Sequence, residues 1–100
     1  MAKVKRLTDN SGVYVSWAFE CPGCNMWHSC NETHPTPSAP KWIFNGDVER
    51  PTFSPSVLVR YPDDGQEKRC HSFVTDGKIR FLDDCSHGLA GQTVELPDFV

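Results

Sequence analysis

Cysteine and histidine residues constrain this chain more than any other feature of its sequence. There are five cysteines, Cys21, Cys24, Cys30, Cys70 and Cys85, and four histidines, His28, His34, His71 and His87. An odd number of cysteines without an export signal is atypical of a secreted disulfide scaffold. In a reducing compartment, clustered cysteine and histidine more often bind a metal ion or carry out redox chemistry.

The N-terminal residues do not have the pattern of a secretory signal. Met1 to Arg6 is basic, but Leu7 to Asn10 follows where a signal peptide needs an apolar stretch. No apolar run approaches the ~18–20 residues of a membrane helix. We therefore expect a cytoplasmic protein that does not span a membrane.

Length and composition limit the remaining possibilities. The 100 residues suffice for one domain, and 38% of them are hydrophobic, which predicts a modest core. The net charge of −3 excludes a domain that binds nucleic acid through bulk positive charge. A metal ion would supply stability that a core of this size lacks.

Short alternating segments predict a mainly β fold. Residues 13–19 alternate with a period of two, which is typical of a strand with one apolar face. Further strands are expected near 26–30, 41–44 and 57–61, and Asp76-Gly77 predicts a hairpin between 70–75 and 78–82. We therefore predict a small single-domain β-rich fold over residues 1–100, with a polar lead-in at 1–12, a zinc knuckle and a C-terminal β-hairpin.

Two parts of the chain supply the candidate metal ligands. Cys21-Pro22-Gly23-Cys24 is a C-x2-C turn after a strand, the geometry of a zinc knuckle. In the hairpin register Thr75 faces Lys78 and His71 faces Leu82, so alternation places Cys70 and Cys85 on one face and His71 on the other. The leading ligand set, for one Zn2+ per chain, is therefore Cys21, Cys24, Cys70 and Cys85.

Other donors remain open at this stage. His71 and His87 are the substitutes if the strand ends are irregular. His28 could bind the metal, hold a thiolate by a hydrogen bond, or simply pack in the core. Cys30 and His34, in or beside the proline-rich loop at 31–40, are less favoured. A redox role for the C-x2-C pair is disfavoured because no helix follows it.

Several motifs taken together resemble a known family. They are Phe19-x-Cys21-Pro22-Gly23-Cys24, His28, Trp42-x-Phe44-Asn45-Gly46, Arg50 to Ser56, Cys70 to Val74 with Asp76-Gly77, and Phe81 to Gln92. Over about residues 13–98, the chain resembles a family of small uncharacterised proteins encoded by phages and prophages. The resemblance implies a zinc-binding β-rich domain in the cytoplasm of a bacterial host, with Cys21, Cys24 and His71 at matched positions. It thus favours His71 over Cys70 and implies no catalytic mechanism.

Three functions are compatible with these features. The preferred one is a structural-zinc interaction module that binds an unidentified protein partner, without catalytic residues. The second is a zinc hydrolase with an open metal position and Asp83 or Asp84 as base. The third, a zinc-ribbon binder of nucleic acid, is disfavoured because nearby acidic residues offset the basic ones. No small-molecule substrate is indicated.

Overall fold

The computed structural model describes residues 1–99 and is built from β-strands alone. Nine strands follow in chain order: β1 (Lys5–Thr8), β2 (Val15–Cys21), β3 (Met26–Thr33), β4 (Ile43–Phe44), β5 (Phe53–Ser54), β6 (Val57–Asp63), β7 (Gln66–Thr75), β8 (Lys78–Phe81) and β9 (Thr93–Glu95). No helix in this part of the chain is long and apolar enough to cross a membrane. The prediction of a mainly β fold is confirmed.

The strands form three antiparallel sheets. The first has the order β1-β2-β3, the second is the short pair β4-β5, and the third has the order β6-β7-β8-β9. Every neighbouring pair within a sheet is antiparallel. Sequence neighbours pair within each sheet, as expected for strands joined by short turns.

The predicted hairpin is present with the predicted register. Thr75 pairs with Lys78 and Phe73 with Arg80, and the backbone N–H of Leu82 donates to the carbonyl of His71 at 2.9 Å. Both turn residues have positive φ, 52° at Asp76 and 79° at Gly77. This is the conformation that a two-residue type I′ turn requires.

The first twelve residues differ from the predicted polar lead-in because they contain β1. This strand pairs with β2 from Lys5↔Ala18 to Thr8↔Val15. Leu7 is its only apolar residue, so the strand has no alternating apolar pattern and periodicity did not reveal it. The preceding Val4 is buried in the core.

One core joins the two larger sheets. It includes Phe19 and Cys21 from β2, Cys70 and Val74 from β7, and Phe81 from β8. In β7, Cys70, Ser72 and Val74 are buried, whereas His71 is half-buried and Phe73 is exposed. The alternation of a strand therefore turns one face of β7 towards the core and the other towards solvent.

Candidate functional site

Four donor side chains from both large sheets come together in the core. Cys21, Cys24, His28 and Cys70 offer ligand atoms that all lie within 4.8 Å of one another. The Sγ atoms of Cys21 and Cys70 are 3.8 Å apart. This separation matches the edge of a tetrahedron with Zn–S bonds of about 2.3 Å. Three thiols and one imidazole form a set that structural zinc sites use.

Local strand geometry explains why these residues meet. Cys21 ends β2, and the turn that follows is closed by the Asn25 N–H, which donates to the Cys21 carbonyl at 2.9 Å. His28 on β3 lies opposite Phe19 on β2, so it faces the same core. The Nε2 atom of His28 is buried and has no hydrogen-bond partner among the described residues. A bound metal would satisfy such an atom, so the residues present fit a metal ion.

A second group of donors shares Cys70 with the first. Cys70, Cys85 and His87 also lie within 4.8 Å of one another, and His87 Nε2 is 3.5 Å from Cys70 Sγ. A Cβ atom added at Gly23 would overlap the imidazole of His87. Gly23 is therefore the residue that lets His87 pack against the knuckle.

The surroundings of the three thiols shift their pKa values in different directions. A hydrogen bond from Cys70 is the main cause that lowers the pKa of Cys21 to about 4, and His28 lowers it further. The same bond raises the pKa of Cys70, while burial raises that of Cys24. Cys21 is thus the thiolate of the group, the form that binds a metal ion.

Cys30 differs from the metal-ligating candidates. It is fully buried, and burial raises its pKa to about 12. It belongs to neither group of donors. Cys30 therefore acts as a small apolar core residue.

The leading set of four predicted from the sequence does not form one group, because His28, and not Cys85, accompanies Cys21, Cys24 and Cys70. Five of the six ligands proposed from the sequence nevertheless belong to one or the other group of donors. Cys21, Cys24, Cys70, Cys85 and His87 fall into the two groups, and His28 joins them. His71 belongs to neither group, because it lies on the opposite face of β7 from Cys70. His34 is also outside both groups.

His71 takes part in a different arrangement with a serine and a carboxylate. Its Nε2 lies 3.1 Å from Ser56 Oγ, and its Nδ1 lies 3.3 Å from Asp84 Oδ2. One ring nitrogen thus faces a hydroxyl and the other a carboxylate. This is the order of contacts in a Ser-His-Asp triad, which is recognised by geometry and not by sequence position.

Each member of this triad is held by a separate element. Ser56 lies between β5 and β6, and its carbonyl accepts a hydrogen bond from Trp42 Nε1 at 3.2 Å. His71 projects from β7. Asp84 follows β8 and also receives Arg69 Nη1 at 3.5 Å. The side chains of His71 and Asp84 are 26% and 39% exposed, so both are accessible from solvent.

The charge of Asp84 suits this role. Burial of the carboxyl opposes its ionisation, but the hydrogen bond with His71 and the positive charge of Arg69 outweigh it, so the pKa of Asp84 is lowered. Asp84 is therefore a carboxylate at neutral pH. As such it can accept a hydrogen bond from an Nδ1–H of His71, and in that tautomer Nε2 is the nitrogen that can accept one from the Ser56 hydroxyl.

The sequence did not predict this arrangement, although Ser56, His71 and Asp84 all lie in motifs described above. Ser56 ended the Arg50 to Ser56 segment, His71 was a candidate ligand, and Asp84 was a candidate base for a metal-bound water. His71 is 15 residues from Ser56 and 13 from Asp84. The sequence did contain one indication of this site. Alternation along the strand places His71 on the opposite face from Cys70, so the two residues cannot bind the same metal ion.

Comparison with known proteins gives one match. Residues 3–82 match the model of the family described as "Bacterial ubiquitination-like system serine protease (BubE)". The match covers β1 to β8 and ends just before Asp84. No curated protein and no solved structure matches the chain. The phage origin implied by the resemblance stays a prediction.

Proposed function

The chain belongs to the family of bacterial ubiquitination-like system serine proteases (BubE), and from this premise we propose that it is a serine hydrolase of such a system. It uses Ser56 as nucleophile, His71 as base and Asp84 as orienting carboxylate. The observation that carries this proposal is His71, with one ring nitrogen 3.1 Å from a serine hydroxyl and the other 3.3 Å from a carboxylate. These two hydrogen bonds by themselves are also compatible with a structural role for His71. The exposure of His71 and the family name favour catalysis.

The reaction follows from the roles of the three side chains. Ser56 Oγ attacks the carbonyl carbon of the substrate while His71 Nε2 accepts its proton. Asp84 stabilises the imidazolium that forms. His71 then gives the proton to the leaving amine, and the acyl group stays on Ser56 as an ester. A water molecule, deprotonated by His71, cleaves that ester and restores the hydroxyl.

The cysteine-rich site is proposed to hold one structural zinc ion per chain. Cys21, Cys24, His28 and Cys70 supply four donors, which fills a tetrahedron without an open position for substrate. The ion when bound clamps the first sheet to β7. This favours a structural metal over the zinc hydrolase considered from the sequence.

The interaction-module hypothesis is compatible with catalysis, since a protease of a multi-component system also binds a protein. We place catalysis first because His71 contacts a serine hydroxyl with one ring nitrogen and a carboxylate with the other, and because the family is described as a serine protease. The partner stays unidentified.

A fluorophosphonate probe tests the nucleophile directly. The Oγ of an activated serine attacks its phosphorus, fluoride leaves, and the serine carries a stable phosphonate ester. We expect one label per chain, located at Ser56 by peptide mass spectrometry. Ser56→Ala should abolish labelling, whereas Ser54→Ala, which changes an exposed serine two residues away, should keep it. Equal labelling of both variants, or none of the wild type, would refute the proposal.

A further inference from the structure

A shallow groove of about 500 Å³ lies on the outward face of the β6–β9 sheet. It is lined by Phe73, Thr75, Asp76, Lys78, Arg80 and Thr93. Phe73 is two residues from His71 on the same face of β7. The groove therefore begins next to the proposed triad.

Strand register places Ser56 at one end of this groove. Val57 pairs with Ser72, and continuing this antiparallel register one residue beyond the start of β6 sets Ser56 against Phe73. Phe73 pairs with Arg80, and Arg80 pairs with Thr93. A row of outward-facing residues thus runs across the sheet from the nucleophile into the groove.

The position of His71 determines which part of a substrate the groove can hold. His71 lies in the next row, on the side of Ser56 away from Thr75 and Lys78. Because the imidazole must give a proton to the leaving amine, that amine lies on the His71 side. The acyl side of the substrate is then directed into the groove.

The lining of the groove has an apolar floor and an excess of positive charge. The exposed ring of Phe73 is covered by the Arg80 guanidinium, whose carbon is 5.7 Å from the ring centroid. Among the lining residues, Arg80 and Lys78 contribute two cations against one carboxylate, Asp76. Glu95 lies opposite Lys78 on β9, but its carboxylate pairs with Lys3 Nζ at 3.2 Å. Within residues 1–99, neither cation forms a salt bridge. Their charges are therefore available to a ligand.

We infer that this groove binds the acyl side of a peptide substrate and selects an acidic side chain there, through Arg80 and Lys78. The inference rests on the proposed function. A guanidinium that is already stacked on an aromatic ring loses little freedom when it pairs with a carboxylate. Phe73 supplies the apolar contact for the adjoining backbone and side chains.

The test uses activated esters, which need no recognition of the leaving group. The probes are acetyl-tetrapeptide 4-nitrophenyl esters with alanine next to the ester and a single Glu, Gln or Lys at one of the other three positions. For the wild type, kcat/KM for Glu should exceed that for Gln about fivefold at one position or more. This preference should fall as salt is added, because the pairing is exposed to solvent.

Two variants with the same change in charge distinguish an effect of the groove from an effect of the net charge of the protein. Arg80→Glu should bring the Glu to Gln ratio below one and raise the Lys rate, while Arg6→Glu on β1 should keep the wild-type ratio. The ratio is an internal control, because partial unfolding lowers both rates equally. Equal rates for Glu and Gln at every position, or equal ratios in both variants, would overturn the inference while the proposed function stands. Absence of any hydrolysis above the Ser56→Ala blank would instead overturn the proposed function, and this inference with it.

Discussion

Cys70 and His71 are neighbours in the chain, yet their side chains lie on opposite faces of β7 and belong to different sites. Cys70 Sγ is 3.8 Å from Cys21 Sγ in the core, whereas His71 Nε2 is 3.1 Å from Ser56 Oγ on the outer side. A strand turns successive side chains in opposite directions, so one dipeptide contributes to both the candidate metal site and the proposed triad.

Asp84 and Cys85 are also neighbours in the chain that belong to different sites. Asp84 contacts His71 Nδ1, and the next residue, Cys85, belongs to the second donor group. The Cys85 thiol also accepts the His71 N–H at 3.3 Å and donates to the His71 carbonyl at 3.2 Å. Cys85 therefore anchors the backbone of His71, the proposed base, and directly follows Asp84, the proposed orienting carboxylate.

Removing the carboxylate should inactivate the enzyme without unfolding it. In Asp84→Asn, the amide cannot accept the Nδ1 proton as a carboxylate does, so His71 is left in the wrong tautomer. We expect hydrolysis of a 4-nitrophenyl ester to fall by about 10²–10⁴-fold. Asp83→Asn, which changes the exposed neighbouring carboxylate, is the control and should stay within twofold of wild type, or about 0.4 kcal/mol. Similar rates for the two variants would remove Asp84 from the triad.

Chelating the metal should abolish activity and stability together. A structural zinc site in a small domain contributes on the order of 10 kcal/mol to apparent folding free energy. We therefore expect the chelated protein to lose its cooperative thermal transition in circular dichroism, and added Zn2+ to restore both the transition and ester hydrolysis. Ser56→Ala should lose hydrolysis only and keep one zinc per chain. A chelated protein that stays folded and active would contradict a structural metal.

Two buried or half-buried cysteines provide a matched test of the ligand set. Cys24→Ala removes a donor of the four-residue group, so zinc affinity should fall by more than about a hundredfold, the upper cost of losing a merely supporting residue. Cys30→Ala removes a fully buried thiol outside both groups. It should cost about 1 kcal/mol of stability through lost packing and leave one zinc per chain by elemental analysis. Loss of zinc from Cys30→Ala would show that the ligand set is wrong.

The contact between Gly23 and His87 should be sensitive to one methyl group. In Gly23→Ala the new Cβ overlaps the His87 imidazole, which must move away from Cys70. We expect zinc affinity to fall by about 10–100-fold, measured by competition with a chromogenic chelator. Gly88→Ala adds the same methyl group into open space and should bind zinc as the wild type does. If both variants bind zinc equally, His87 does not support the site.

The sequence alone determined the mainly β fold, the hairpin at Asp76-Gly77 and the approach of Cys70 to the knuckle. These features depend on local properties, such as positive φ in a two-residue turn and alternation along a strand. Because alternation is local, the sequence also separates Cys70 from His71.

Only the tertiary structure decided that His28 joins the metal group and that Ser56, His71 and Asp84 meet. His28 reaches the thiols because β3 folds back on β2, and sequence periodicity does not specify what packs above that face. The triad depends on the loop before β6 and the turn after β8 arriving at the same point on β7. Such convergence of three separate segments is fixed by packing of the whole chain, which no local pattern records.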